Sequence, residues 1–492
     1  MIKVRNLPSS WFYNSATFFV FVISMYPVVK TPLIADDFGI VLGQVYRVDQ
    51  SWAEQFNQAW SGIFEGTHFN LVGNYFAMLW IKAWISISLF FDLNLHIGFW
   101  ALKICIMSAN VLAIAWFAFK FFGTNFRRSL IASTLLFSIL IQIHAPWSND
   151  PVTNFTLAGF FVVPFALFAI ASFIQLAKNP TLKNLIVNVF LSFLALLIYE
   201  INFAIVCFYV TFLLAMLVIN PFGVTMRKVK YAARLITPLV TTTLAVWILR
   251  TFASNDASNY GGTSIDISEK TFSTLFFNVA SSLPFVAHMK SSDYIGSQQV
   301  TTLNYFLVGM FVVLLGLLLS RMLIDRQEIN LELQKPEKVL STAISISLLS
   351  WVIGAIGIQS ITSKVQTETH FLGGVYTFYA VAYVGIILVI LANLRLIFNR
   401  DHLLFFVALV LLSFSAMQLN INLGLKVWLN QNLTPNLNLV ALATGESTSE
   451  ERCIALGAWL AGPWPEYYEA ETIVGLDEYS LRENNEKFCP DN

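Results

Sequence analysis

Eleven runs of roughly 17–25 apolar residues punctuate this chain, each long enough to cross about 30 Å of hydrocarbon as an α-helix. They fall at 11–29, 97–119, 129–145, 154–177, 183–199, 201–219, 232–252, 303–323, 339–360, 373–394 and 402–420. Lipid offers no hydrogen bonds to exposed backbone, so a chain patterned this way is expected to fold as an all-α polytopic bundle. Composition agrees, with 57% hydrophobic and 12% charged residues over 492 positions, against about 45–50% and 25% in soluble proteins.

One further stretch, 71–90, is ambiguous: "NYFAMLWIKAWISISLFF" carries Lys82 mid-run and Trp80 and Trp84 beside it. Cytoplasmic loops concentrate Lys and Arg. If 71–90 lies along the outer interface, every basic cluster falls on one side: Lys3 and Arg5; Lys120, Arg127 and Arg128; Lys178 and Lys183; Arg227 to Arg234; Arg321 to Lys338; Arg395 and Arg400. If it spans, the alternation breaks. The expected topology is therefore eleven spans, an inner N-terminus, an outer C-terminus and interfacial helices within a long first outer loop at 30–96. The inner loops are short and basic while the outer segments are long, so function is expected outside.

The formal net charge is zero, and no basic arm or stripe offers a nucleic-acid footprint. Lys3 and Arg5 precede the first run as in a signal peptide, but no small-residue cleavage site follows Val29, so that run reads as a retained span. Cys105 and Cys207 lie in apolar runs. Cys453 and Cys489 flank a polar, aromatic tail and are placed to pair if that tail faces an oxidising compartment. No metal-ligand spacing occurs.

The outer segments hold the chemistry. Asp36 and Asp37, in "PLIADDFGI", follow the first span in a turn bounded by Pro32 and Gly39. A carboxylate at the bilayer edge beside a second acid can have its pKa raised toward a general-base range; solvated loop acids are the alternative. Asp150, in "HAPWSNDPVTNF", sits between Pro146 and Pro151, either as a second site acid or as the N-cap of the fourth span. Tyr199 and Glu200, in "LLIYEINFA", occupy the outer turn between two spans, and a Glu in so apolar a run needs a cavity, a partner or water. Arg47, Arg250, Lys364 and His370 are outer-side groups able to hold a phosphate, although each alone reads equally as an interfacial anchor. Glu65, His68 and Asn70 would line an acceptor site or cap the helix that follows.

One span, an outer acidic pair, amphipathic helices on the membrane surface and then a span ending in "KFFGTNFRR" resemble the GT-C superfamily of integral membrane glycosyltransferases, notably the bacterial and phage-encoded enzymes that glucosylate O-antigen. The resemblance covers about residues 1–220. It implies a GT-C-like bundle that moves a sugar, such as glucose, from a polyprenyl-phosphate donor to a cell-surface glycan acceptor on the periplasmic face of a bacterial inner membrane. It further implies inversion, Asp36 as catalytic acid with Asp37 beside it, and a second acid at Asp150. A donor-supplying flippase would be a natural partner. No cofactor is implied beyond the lipid-linked donor, and members of the superfamily differ in whether they need a divalent metal. The chain then divides into a catalytic module at 1–220, a variable transmembrane module at 221–420 and a periplasmic tail or small lobe at 421–492. An O-antigen polymerase or ligase and a polytopic transporter are the competing classes. The first tends to need an Arg-rich outer loop, whereas the loop at 253–302 has no Arg. The second tends to place charges at the membrane midplane.

Overall fold

The computed structural model describes residues 10–31, 51–65, 71–91, 95–144, 150–153, 159–219, 229–253, 264–286, 302–324, 335–369, 377–398, 401–433, 447–460, 473–474, 476–478, 480–481 and 485–490. In chain order its helices are α1 (Ser10–Val29), α2 (Trp52–Glu65), α3 (Leu71–Phe90), α4 (Leu95–Phe121), α5 (Phe126–Leu140), α6 (Val163–Lys178), α7 (Leu182–Ile198), a 3-10 turn (Glu200–Ala204), α8 (Ile205–Val218), α9 (Val229–Ala253), α10 (Glu269–Ser282), α11 (Thr302–Ile324), α12 (Lys335–Ser360), α13 (Ser363–Glu368), α14 (Phe378–Phe398), α15 (Asp401–Leu433) and α16 (Ser449–Leu460). Among the described residues there is no extended sheet, only one isolated bridge between Ile265 and Thr362.

Five stretches are long and apolar enough to cross a membrane: Ile97–Phe121, Glu200–Val218, Thr302–Ser320, Val339–Ser360 and Phe405–Gln431. Five of the other runs form shorter apolar helices, Tyr13–Val29, Val163–Lys178, Leu182–Ile198, Ala232–Ile248 and Phe378–Asn393, and the ambiguous stretch 71–90 supplies a sixth, Met78–Ile87. Two of the expected spans shorten because the chain leaves the helix inside the apolar run. The run 129–145 stops being helical at Leu140, with Ile141 already extended at φ −68°, ψ 126°. In the described part of the run 154–177, from 159 on, the α-helix starts at Val163, where Pro164 occupies the first turn without costing a hydrogen bond.

The centre of the bundle is α14, which packs on α4, α5, α6, α12 and α15. From Phe378 through Val384 no residue is more than 2% exposed, as expected of a helix that is apolar on every face. Polar groups buried between helices find partners in one another. Asn188 on α7 donates to Ala169 O, Ser172 Oγ and the Tyr209 hydroxyl, clasping α6, α7 and α8.

The helical hairpins share one end, called the rim below. Helices α4 and α5 bring Leu95 and Leu140 to it, and α6 and α7 bring Val163 and Ile198. The two hairpins are tied in register where Asn110 of α4 donates to Phe160 O at 2.7 Å and Lys103 donates to Thr153 O at 2.6 Å. Helix α3 lies across this rim rather than alongside the bundle. A Cβ on Gly73 would sit 2.1 Å from Ile198 O, at the end of α7. Phe76 stacks on Phe161 at 4.8 Å, just before α6. A Cβ on Gly98, in the first turn of α4, would meet the Trp84 indole nitrogen at 0.9 Å. Gly73 and Trp84 are about 16 Å apart along the helix at 1.5 Å per residue, and both ends of that stretch touch rim residues. Helix α2 packs against α3, with Tyr75 donating to Trp52 O and Lys82 lying 5.9 Å from the Trp52 ring. Its start is fixed by a reciprocal cap between Ser51 and Glu54.

Helix α15 continues unbroken to Leu433, past the end of the apolar run at 402–420. Beyond it, α16 carries Cys453, disulfide-bonded to Cys489. Arg452 is buried beside this bridge, donating to Phe488 O and Ser447 O and pairing with Glu486.

Candidate functional site at the rim

Where α5 ends, residues 141–144 run extended and need partners for their backbone. Helix α15 supplies them. Asn422 donates from Nδ2 to Ile141 O and accepts from Ile143 N on Oδ1, both at 2.9 Å. Gln418, one turn earlier, donates to the same Oδ1 at 3.3 Å. Gln142 reaches the other way, accepting from Phe285 N at 3.0 Å and donating to Leu283 O at 3.2 Å beyond α10.

This scaffold presents His144 to Asp150, and both are buried. The Asp150 carboxylate accepts from His144 N at 3.0 Å, Val152 N at 3.1 Å and the Thr153 hydroxyl at 3.4 Å, and it faces His144 Nδ1 at 3.3 Å. The pairing favours a proton on Nδ1, an assignment inferred from partners rather than from hydrogen positions. His144 Nε2 lies 3.3 Å from both Gln142 Nε2 and Ser281 O, and the ring meets Tyr379 edge-on at 4.4 Å. Asp150 does not cap the fourth span, whose helix starts at Val163 with Val162 as N-cap. It closes a buried turn instead, accepting from residues on both sides of it.

One lysine contacts this turn, and two more lie toward the ends of α1 and α15, nearby in the chain of contacts. Lys103 is fully buried and donates to Thr153 O and, at 2.9 Å, to Thr31 Oγ1. Lys30, at the end of α1, places its ammonium 3.0 Å over the Trp100 ring. Lys426 of α15 lies 5.2 Å from the Tyr26 ring. Asn430 ties the last two together, donating to Lys30 O at 3.0 Å and Lys426 O at 2.7 Å. The Lys30 pKa is lowered from its ordinary value, first by desolvation and then by repulsion from Lys426.

The residues named from the sequence divide as follows. Asp36, Asp37, Arg47, His68 and His370 lie outside the described residues. Tyr199 is the C-cap of α7, and Glu200 opens the 3-10 turn. Arg250 belongs to the last turn of α9, which packs chiefly on α2, α7, α8 and the 3-10 turn. Lys364 lies on α13, against α10 and α12. The cation that touches the Asp150 turn directly is Lys103, through Thr153 O, and Lys30 and Lys426 lie beyond it. Their signal was present in the sequence, since Gln418, Asn422, Lys426 and Asn430 recur at every fourth position and make one polar stripe on a helix. Among the described residues no group of three His, Cys, Asp or Glu side chains could hold a metal ion.

No protein-family model, characterised protein or solved structure matches the chain.

Proposed function

We propose that this is a membrane glycosyltransferase working at the rim, taking a sugar from a polyprenyl-phosphate donor and passing it to a glycan acceptor outside the membrane. The shorter apolar helices other than Met78–Ile87, together with α5, would complete eleven crossings, with α2 and α3 on the outer surface. One observation carries most of the weight. Thr31, at the end of α1, is hydrogen-bonded to Lys103, which in turn holds Thr153 beside Asp150. Four residues separate Thr31 from Asp36, and a fully extended chain of five steps spans at most about 18 Å. This short connection supports an acidic pair working at the rim.

In this account the donor's apolar tail stays in lipid, since many buried CH₂ groups cannot be presented in water. Its phosphate is taken by the Lys30–Lys426 pair in place of Arg250 or Lys364. Asp36 accepts the acceptor hydroxyl's proton as that oxygen attacks the anomeric carbon, and the lipid phosphate leaves with the electrons of the broken bond. Asp150 accepts four protein donors and so serves as the anchor of the turn, not as the base. The 3-10 turn opened by Glu200 packs on α9, and α9 packs on α2, a side from which an acceptor glycan would enter.

Purified protein in lipid, supplied with a polyprenyl-phosphate hexose and acceptor glycan, tests this directly. Asp36→Asn is expected to insert normally and lose transfer. Replacing Lys30 and Lys426 with Gln is expected to raise KM for the donor far more than it lowers kcat. Wild-type turnover by Asp36→Asn, or an unchanged donor KM in the Lys variants, would overturn the respective assignment.

A further inference from the structure

Helix α10 is patterned inside out. The face it turns to the protein is polar, with Thr274, Asn278, Ser281 and Ser282 all at most 4% exposed, while Phe272, Phe276, Val279 and Leu283 are 77%, 62%, 37% and 47% exposed. The outward residues are spaced four, three and four apart, so they form one continuous stripe. In water such a helix would expose a row of large apolar side chains and bury a row of polar ones, the reverse of what stabilises a soluble surface helix.

Its depth is set by its partners. Asn278 donates to Ser360 Oγ at 2.9 Å, and Ser360 is the last residue of the membrane-length stretch Val339–Ser360. Beyond α10, Phe285 packs on Phe414 at 5.1 Å, which lies inside the membrane-length stretch Phe405–Gln431. At the opposite end Asp266, Glu269 and Lys270 are exposed. The helix therefore starts among charged residues and descends toward positions within a spanning helix, with aromatic residues on the side away from the protein.

We propose that α10 is a tilted, membrane-immersed helix whose Phe272–Phe276–Val279–Leu283 face contacts the acyl chains of the outer leaflet. Its polar back, through Ser281 O and the following Leu283 O, then seals the His144–Gln142 side of the rim cluster from lipid. This assignment concerns where the helix sits and does not depend on the reaction catalysed.

The test uses the full chain in phosphatidylcholine vesicles, with Cys105 and Cys207 replaced by Ala and the disulfide left intact. An environment-sensitive fluorophore is attached at Phe276→Cys or Val279→Cys, with Leu317→Cys as a lipid reference and Lys487→Cys as a water reference. Both α10 probes are expected to show blue-shifted emission, loss of intensity with nitroxide-labelled lipid and protection from aqueous iodide, resembling Leu317→Cys. A probe at Lys270→Cys is expected to be quenched by iodide. Iodide quenching at 276 and 279 without an effect of nitroxide lipid would overturn the proposal. So would protection from both quenchers together with thiol cross-linking between two chains of the Phe276→Cys variant, because a second copy would then cover the face. Two independent probe positions keep the result decisive if one variant misfolds.

Discussion

Replacing Asp150 with Ala would leave three N–H donors, at His144 N, Val152 N and His144 Nδ1, without the carboxylate they now face. Hydrogen bonds to a charged group are worth about 1.5–3 kcal/mol each, and buried donors left unpaired cost a comparable amount, so the expected loss is roughly 4–9 kcal/mol. That is a large part of the total stability of about 5–15 kcal/mol typical of folded proteins. Asp150→Asn keeps one acceptor oxygen and the side-chain volume but turns an NH₂ toward a backbone donor, so about half that cost is expected. Thermal unfolding in detergent, followed by tryptophan fluorescence and checked by size-exclusion chromatography, should rank wild type above Asn and Asn above Ala. An Ala variant within about 1 kcal/mol of wild-type stability that nevertheless lost transfer would refute the anchoring role and make Asp150 a free catalytic carboxylate.

Asn422→Ala is expected to cost roughly 2–5 kcal/mol, because Ile141 O and Ile143 N would both be buried without a partner; hydrogen exchange should show 141–144 opening while the far ends of α4 and α5 stay protected. Gly73→Ala should loosen α3, since the new Cβ would meet a backbone oxygen at 2.1 Å, and a penalty of about 1–3 kcal/mol is expected for such overpacking; an unchanged melting temperature would mean α3 does not rest on α7. Cys453→Ser opens a link between residues 36 apart, worth about 4 kcal/mol in the chain-entropy account, and limited proteolysis should then cut the C-terminal region while the bundle stays intact. The Glu54 pKa is held below its ordinary value of 4.5, chiefly by the Ser51 backbone N–H and then by its hydroxyl. A depressed acid stabilises above its unfolded pKa and loses that contribution as pH falls through the folded one, so exchange protection at the start of α2 should drop below about pH 4.5 in wild type and be pH-independent there in Glu54→Gln.

The apolar runs made the helical bundle legible, and caps marked several helix starts, such as Asn125 before α5 and Thr181 before α7. The end of α5 was not legible. Nothing in Ile141-Gln142-Ile143-His144 breaks a helix locally; the backbone departs because Asn422, 279 residues away, completes its hydrogen bonds. A tertiary partner of that kind leaves no local trace. The end of the last span was misplaced at 420 for a related reason. Polar residues at 418, 422, 426 and 430 lower the mean hydropathy, yet they fall on one helical face and are absorbed by the rim. Lys103 was visible as a charge within an apolar run, but only the fold shows that it joins Thr31 to Thr153. In the sequence the α10 stretch reads only as part of the outer loop at 253–302, and its inverted face shows once its buried side is known.

The most direct test of the central claim is glycan analysis by mass spectrometry of the surface polysaccharide from cells with this chain, without it, and with Asp36→Asn at equal membrane levels. Sugar transfer at the rim predicts one added hexose per repeating unit in the first case alone. An identical glycan in all three, or the added hexose persisting with Asp36→Asn, would contradict it.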